Sequence, residues 1–321
     1  MSIGLADVRD AALRIRGVAH RTPVISSSTL DKIVGAHLLM KAENLQRAGA
    51  FKFRGAYNCI SQLSGQDRSR GILTCSSGNH AQAVALVCAT LGCPATILMP
   101  HDAPISKRRA AEGYGATVIE FDRYKDDREE LTREHATTHG LTVVHAYDDW
   151  RIIAGAGTAA LELFEDVGPF DVLVVPVGGG GLLAGSAITA HELHPDTKVV
   201  GVEPEATGGT ARSFAAGHRV AVEVRQTIAD GQQLRTPGER TFQAISAFVD
   251  AVVTVTDEQI LAAMTLLFDR TKLVVEPSGA TGFAAVLAGL VDTDPDKTVG
   301  VMLSGGNIDT RRFAQLYALL H

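Results

Sequence analysis

Short runs of valine, isoleucine and leucine recur along the chain, and most of them are nearly continuous rather than alternating with polar residues. Runs of this kind are typical of parallel strands that are buried on both faces of a sheet. They predict strands at 37–43, 71–75, 94–99, 116–121, 141–146, 171–177, 198–204, 249–255 and 298–304.

Helical patterns separate these runs, for example at 79–92, 157–167 and 257–270. Alternation of strands and helices over the whole chain predicts an α/β fold with a doubly wound parallel sheet. Ligands in such folds bind in a crevice at the carboxyl ends of the strands.

Three loops rich in glycine and serine follow predicted strands: SSGNH (76–80), GGGG (178–181) and SGGN (304–307). Because the carboxyl ends of parallel strands meet at one edge of a sheet, these loops predict a single ligand site built from distant parts of the chain. The first loop leads into a helix, and we expect Ser76 or Ser77 to cap that helix beside an anion such as a carboxylate.

The four consecutive glycines stand between a predicted strand and a predicted helix. Glycines let backbone N–H groups approach an anion closely, and the dipole of the following helix favours negative charge, so this loop predicts a phosphate site. Gly179, Gly181 and Ala184 also fit the G-x-G-x-x-A dinucleotide fingerprint, with Glu203 about twenty residues further on. An NAD-dependent dehydrogenase is therefore an alternative at this point.

Lys52 stands between Phe51 and Phe53 in the segment AGAFKFRGAYN. A lysine in a half-buried turn can place its ammonium in solvent while its stem covers apolar surface. Apolar surroundings would instead lower its pKa and make the amine a nucleophile or a base. This segment alone is compatible with both interpretations.

The composition indicates a soluble globular protein, with 45% hydrophobic and 21% charged residues among 321. A net charge of -6 argues against a nucleic-acid partner, and no apolar run approaches the length of a membrane span. The N-terminal segment lacks the apolar centre of a signal peptide, and the four cysteines have neither zinc-type nor CxxC spacing. We therefore expect a cytoplasmic protein without a membrane partner.

Four segments in this order, FKFRGA, SSGNHAQA, VPVGGGGLLAG and LSGGN, resemble the fold-type II pyridoxal-phosphate enzymes, which have the tryptophan synthase beta-like fold. The resemblance is strongest to the serine/threonine dehydratase and serine racemase family, and ENLQRAGAFKFRGAYN is similar to eukaryotic-type serine racemases and 3-hydroxyaspartate ammonia-lyases. It implies pyridoxal 5'-phosphate as the cofactor. The implied reaction is elimination of water from L-threonine, L-serine or 3-hydroxyaspartate, giving a 2-oxo acid and ammonia. Serine racemase activity is the alternative on the same scaffold.

The resemblance also implies roles for single residues. Lys52 matches the lysine that forms a Schiff base with the cofactor and then removes the Cα proton, and Ser77 matches a second acid/base on the opposite ring face. The other implied contacts are Phe51 beside the ring, Gly178, Gly179, Gly180 and Gly181 around the phosphate, Asn79 at the ring hydroxyl, Ser304 at the pyridine nitrogen, and Ser76, Ser77, Gly78, Asn79 and His80 around the substrate carboxylate. A neutral hydroxyl at Ser304 favours elimination over transamination.

Close members of this family bind a divalent cation, Mg²⁺ or Ca²⁺, through a glutamate after the glycine loop, a carbonyl four residues on and an aspartate six residues on. Glu203 matches the glutamate and Thr207 the carbonyl, but the third position is Gly209. Hard cations prefer several oxygen ligands that include carboxylates, so the sequence leaves this cation open.

The resemblance implies a large cofactor-binding domain formed by residues 1–66 and 149–321, with a smaller α/β domain at 67–148 inserted into it. The cofactor is expected between the two domains, with a small amino acid as substrate. A homodimer is implied as well. Because the chain ends soon after SGGN, we expect no C-terminal regulatory domain and a catabolic role.

Overall fold

The structure is a computed structural model that describes residues 3–103, 105–122 and 125–320. Its strands are β1 Val24–Ile25, β2 His37–Lys41, β3 Ile72–Cys75, β4 Ala95–Pro100, β5 Thr117–Phe121, β6 Thr142–Val143, β7 Val172–Pro176, β8 Lys198–Pro204, β9 Ala251–Val255 and β10 Thr298–Met302. Its helices are α1 Leu5–Ile15, α2 Ser28–Val34, α3 Lys52–Ser61, α4 Gly65–Arg70, α5 Asn79–Leu91, α6 Ile105–Gly113, α7 Arg128–His139, α8 Trp150–Val167, α9 Gly181–Leu193, α10 Gly209–Ala216, α11 Glu239–Phe248, α12 Asp257–Thr271, α13 Pro277–Leu287 and α14 Thr310–Tyr317. Short 3-10 turns lie at Glu43–Leu45, Arg47–Gly49, Asp230–Gln232 and Ala318–Leu320.

The strands form two sheets. The larger sheet has the order β1-β2-β10-β7-β8-β9 and is parallel except for β1, which pairs antiparallel with β2. The smaller sheet has the order β5-β4-β3-β6 and is parallel throughout. The predicted α/β fold with a doubly wound parallel sheet is confirmed. All four strands of the smaller sheet lie inside 67–148, while the domain boundaries themselves stay a prediction.

Alternate side chains of the central strand β7 enter two different cores. Val172 and Val174 pack with side chains of α12 and α13 on one face of the sheet. Leu173 and Val175 pack with side chains of α8 and α9 on the other face. Because successive strand residues point to opposite faces, a strand covered by helices on both sides must be apolar at every position. This explains the continuous apolar runs in the sequence.

Two predicted elements differ from the structure. The run 141–146 forms only the two-residue strand β6, because the Val144 carbonyl accepts hydrogen bonds from the Thr74 hydroxyl at 2.9 Å and the His80 ring at 3.3 Å. The helix predicted at 157–167 begins earlier, at Trp150, after an N-cap aspartate, Asp149, that accepts the Arg151 N–H at 2.7 Å. No helix in the described ranges is long and apolar enough to cross a membrane.

A buried ion cluster anchors helix α3 to the large sheet and to α8. Arg54 is fully buried and donates to both oxygens of Glu43, at 2.7 and 2.8 Å. It also donates to both oxygens of Glu162 on α8, at 2.7 and 2.8 Å. Lys41 at the end of β2 donates to Glu162 as well, at 2.7 Å. Two cations and two carboxylates therefore neutralise one another, and most of their hydrogen-bonding groups are satisfied.

Replacing Arg54 with alanine should destabilise the fold strongly. The change would leave the Glu43 and Glu162 carboxylates without the cation that bonds both of them, and breaking such a cluster costs about 3–5 kcal/mol of unfolding free energy. Urea unfolding followed by circular dichroism measures this. Arg133→Ala is the matched control, because its pair with Glu130 is exposed and should leave the midpoint unchanged. Equal midpoints for both variants would contradict this account of the cluster.

Candidate active site

A cavity of about 290 Å³ lies where the loops after β3, β7 and β10 meet. The structure brings together in its lining every residue that the sequence analysis assigned to cofactor or substrate: Phe51, Lys52, Ser76, Ser77, Gly78, Asn79, His80, Gly178, Gly179, Gly180, Gly181 and Ser304. Their individual roles stay predictions. The convergence of the three loops is what a parallel α/β fold produces at its strand ends.

Lys52 is positioned by backbone pairing between its own loop and the SGGN loop. The Phe51 N–H donates to the Ser304 carbonyl at 3.0 Å, and the Gly306 N–H donates to the Gly49 carbonyl at 2.9 Å. Ala50 and Gly305 form an isolated antiparallel bridge between these two hydrogen bonds. Helix α3 starts at Lys52 itself. The pairing therefore fixes Lys52 and Ser304 relative to each other across the cavity wall.

Few groups near the Lys52 amine stabilise its positive charge. Its Nζ donates to the Ala146 carbonyl at 2.7 Å and lies 4.9 Å from the centroid of the Phe51 ring. Burial lowers the pKa of Lys52 to about 8, because the ammonium form loses hydration. At pH 7 a pKa near 8 leaves about a tenth of the amine neutral, which is several hundred times more than for an ordinary lysine. The reactive interpretation of this lysine is thus the one the geometry supports.

The glycine loop presents backbone donors with no side chains in front of them. A Cβ on Gly179 would overlap the Tyr147 ring at 2.2 Å, and a Cβ on Gly180 would lie 2.8 Å from Thr241. Gly180 also has a φ of 95°, in the left-handed region that favours glycine. Helix α9 begins at Gly181, so its first N–H groups have no partner within the helix. This is the geometry of an anion site at a helix N-terminus.

The SSGNH loop is built differently from our expectation. The N-cap of α5 is Gly78, not Ser76 or Ser77, and it has no side chain with which to cap. The Ser76 hydroxyl instead accepts the Gly78 N–H at 3.3 Å. The prediction of a serine cap was therefore wrong, because the loop turns one residue later than the strand–helix pattern indicated. The first-turn N–H groups of α5 consequently stay available to an anion in the cavity.

Asn79 connects the cavity to a buried carboxyl group. Its Nδ2 donates to Glu276 Oε1 at 2.5 Å, and its Oδ1 accepts from Asn307 Nδ2 at 3.0 Å. Burial raises the pKa of Glu276 to about 7, with a further contribution from the charge of Asp230. Glu276 also lies against Gly305, where an added Cβ would come within 2.2 Å of its Oε1. Asn79 is therefore held in place by hydrogen bonds to Glu276 and to Asn307 of the SGGN loop.

Two histidines near the cavity are neutral. Burial lowers the pKa of His80 to about 3, and the charge of Lys52 lowers it further. Since the Val144 carbonyl can only accept, His80 Nε2 carries the proton. Burial also lowers the pKa of His145, whose Nδ1 accepts the N–H groups of Tyr147 at 3.2 Å and Asp148 at 2.9 Å. The cationic charge of the cavity thus comes from lysine and arginine.

Sequence reasoning missed several side chains of the cavity. Tyr147, Lys107 and the loop 230–234 all contribute to the lining. Arg128 also reaches the cavity and donates to the Cys75 carbonyl at 2.7 Å. None of these residues lies in a glycine-rich loop after a strand. Only the Asp-Gly pair at 230–231 marks a turn in the sequence.

Glu203 and Thr207 lie outside the cavity lining. Glu203 is 3% exposed and its Oε1 accepts the Ala211 N–H at 2.6 Å. Across the described ranges, no group of three or more histidine, cysteine, aspartate or glutamate side chains is placed to hold a metal ion. The donor set therefore gives no support to the divalent cation that the sequence left open. A buried Glu203 is also not free to bind a ribose, as the dinucleotide alternative requires.

A family model described as pyridoxal-phosphate dependent enzyme matches residues 15–305. The chain belongs to the family of pyridoxal-phosphate dependent enzymes. This membership confirms the family resemblance and overturns the NAD-dependent alternative.

Among curated relatives, the chain is 48% identical to L-threo-3-hydroxyaspartate ammonia-lyase of Saccharomyces cerevisiae, over 97% of this chain and 95% of the relative. It is also 48% identical to serine racemase of Schizosaccharomyces pombe, over 96% of this chain and 95% of the relative. Among solved structures, serine racemase from Dictyostelium discoideum superposes with a TM-score of 0.90 at 41% identity, covering 96% of this chain and all of that one. These similarities extend over nearly the whole chain.

The residues of the cavity fit the cofactor of this family. The N–H groups around Gly178–Gly181 and the start of α9 would hold a phosphate, and the partly neutral Lys52 amine would attach the aldehyde. The Ser304 hydroxyl, on the loop that pairs with the Lys52 loop, would bond the pyridine nitrogen. The phosphate, the aldehyde and the ring nitrogen would therefore each have a chemically matched partner in the lining.

Gly180→Ala should weaken cofactor binding at least tenfold, since the new methyl group both strains a positive φ and overlaps Thr241. The dissociation constant of pyridoxal phosphate is measured by absorbance titration of cofactor-depleted protein. Gly65→Ala is the control, because a Cβ there meets open space and its φ is ordinary. Unchanged affinity in folded Gly180→Ala protein would contradict the role of this loop as the phosphate site.

Proposed function

We propose that this chain is an ammonia-lyase that removes water from a β-hydroxy amino acid and releases a 2-oxo acid and ammonia. The observation that carries the proposal is the buried Lys52 amine, facing a cavity whose other walls are an anion-binding glycine loop and a neutral Ser304. One relative that is 48% identical over nearly the full chain is named L-threo-3-hydroxyaspartate ammonia-lyase, which supports this class of reaction.

When bound, pyridoxal phosphate supplies an electron sink that weakens the Cα–H bond of an attached amino acid. Lys52 then acts as the base that receives this proton. A pKa near 8 suits that task, because an amine with a pKa close to the working pH combines a sizeable neutral fraction with useful basicity. The Ala146 carbonyl holds Nζ at 2.7 Å and orients it.

The substrate carboxylate is assigned to the start of α5. The uncapped first-turn N–H groups after Gly78 and the hydroxyls of Ser76 and Ser77 are donors without competing acidic groups on the same loop. The dipole of the 13-residue helix favours a negative charge there. A free amino acid therefore fits with its carboxylate on SSGNH and its Cα toward Lys52.

Two further cationic side chains of the cavity lining, Lys107 and Arg128, bear on substrate choice. Lys107 is paired with Asp230. The Arg128 guanidinium donates to the Cys75 carbonyl at 2.7 Å, and among the described residues it forms no ion pair with a carboxylate. An arginine with remaining N–H donors suits a second carboxylate. We therefore rank 3-hydroxyaspartate ahead of serine and threonine as the substrate.

Purified enzyme should release ammonia and a 2-oxo acid from at least one of 3-hydroxyaspartate, L-serine and L-threonine, and Lys52→Ala should lower kcat by at least about a thousandfold. Coupled assays for both products measure this. Lys198→Ala is the control, because that side chain is exposed and pairs only with Asp250 on the surface. An enzyme that keeps its rate without Lys52, or that releases no 2-oxo acid from any of the three, would contradict the proposal.

Serine racemase activity is the second candidate, because the Ser77 hydroxyl lines the same cavity as Lys52 and can supply a second proton donor. If both reactions occur, Ser77→Ala should abolish D-serine formation from L-serine while elimination persists. Chiral chromatography of the product mixture separates these outcomes. Formation of D-serine at an unchanged rate in Ser77→Ala would exclude Ser77 as that donor.

We also propose a cytoplasmic homodimer. The four cysteines are all free thiols, which supports a reducing compartment. Support for the dimer comes from the family resemblance, and light scattering of the purified protein measures the state directly.

A further inference from the structure

The turn between β8 and α10 is held by a glutamate side chain. Glu203, near the end of β8, accepts the Ala211 N–H at 2.6 Å in the first turn of α10, and Thr210 also donates to its carboxyl group. The N-cap of α10 is Gly208, which has no side chain of its own. Glu203 thus satisfies helix N–H groups that would otherwise be orphaned, at the end of the helix that favours negative charge.

The rest of this turn is also closed by internal hydrogen bonds. The Thr207 N–H and hydroxyl both donate to the Pro204 carbonyl, each at 3.0 Å. The Ser213 hydroxyl donates to the Gly209 carbonyl at 2.6 Å. These contacts involve protein groups alone. Together with those of Glu203, they engage the Glu203 carboxyl group and the N–H and hydroxyl of Thr207.

Gly209 stands where the resemblance places an aspartate ligand, and the surrounding space is filled. A Cβ at Gly209 would lie 3.0 Å from the Arg235 carbonyl oxygen and 3.4 Å from a Val222 methyl group. The turn therefore packs directly on the segment 231–235, which forms part of the cavity wall through Gln232, Gln233 and Leu234. The backbone of Gly209 therefore supports this part of the cavity wall by packing against Arg235.

We propose that Glu203 is a positioning residue that closes the β8–α10 turn by hydrogen bonding alone, and that this turn works without a divalent cation. A hard cation takes six to eight oxygen ligands and favours several carboxylates. This turn offers the Glu203 carboxylate, which is already bonded to the helix, and the Glu205 side chain, which is exposed. Glu203 Oε1 already accepts the Ala211 N–H, and Gly209 offers no side-chain oxygen, so a cation here would lack a second carboxylate from that position. The inference does not depend on which reaction the enzyme catalyses.

The first test is the melting temperature of the holoenzyme after treatment with EDTA and again after addition of millimolar MgCl₂ or CaCl₂. Because a ligand raises the melting temperature only if it binds the native state, we expect all values to agree within about 1 °C. A rise of several degrees that saturates with either cation, and that EDTA reverses, would overturn the proposal. This readout needs no substrate, so its failure is distinct from failure of the proposed ammonia-lyase reaction.

Substitution of Glu203 separates a hydrogen-bond cap from a cation ligand. Glu203→Ala removes the acceptor and should lower the melting temperature by roughly 3–6 °C. Glu203→Gln keeps a side-chain oxygen and should recover at least half of that loss, although it cannot serve as a charged ligand. Glu205→Ala is the control on the same turn, since Glu205 is exposed. Equal losses for Glu203→Gln and Glu203→Ala, with cation rescue of the parent protein only, would overturn the proposal.

Discussion

The chemistry of the candidate active site depends on the free-energy cost of removing one ammonium group, that of Lys52, from water. Lys52 Nζ donates to the Ala146 carbonyl and has no carboxylate partner among the residues that the structure describes. The same burial that makes its charge unfavourable lowers its pKa to about 8 and so makes the amine available. A group of this kind stays in place only if the backbone around it is fixed, and the pairing of residues 49–51 with 304–306 provides that support.

Two cationic side chains near the start of α3 show how environment decides role. Arg54 is fully buried, whereas Lys52 lines the cavity. Although burial opposes the charge of Arg54, Glu43 and Glu162 keep its pKa above the usual value. Arg54 is therefore a permanent charge that anchors the helix to β2 and α8. Lys52 faces the cavity and titrates near neutral pH. Arg54 therefore contributes to stability and Lys52 to reactivity, because carboxylates bond Arg54 whereas a backbone carbonyl bonds Lys52.

The fold and most of the cavity could be predicted because their signals are local. Buried parallel strands need continuous apolar runs, and anion sites at strand ends need glycine, so the runs and the loop at 178–181 were visible in the sequence. Tyr147 and the loop 230–234 were not, because their place in the lining depends on packing between distant segments. The Gly78 cap and the shortened β6 also depend on neighbours: in β6, the Val144 carbonyl is used by Thr74 and His80.

The most direct test of the central claim is the pH dependence of cofactor capture. Cofactor-depleted protein is mixed with pyridoxal phosphate from about pH 6 to about pH 11, reduced with borohydride, and mapped by mass spectrometry. The account predicts that the cofactor mass is fixed on Lys52 and that the initial capture rate rises with pH and levels off near pH 8. A rate that keeps rising toward the pKa of an ordinary lysine, 10.5, or attachment to another residue, would contradict it.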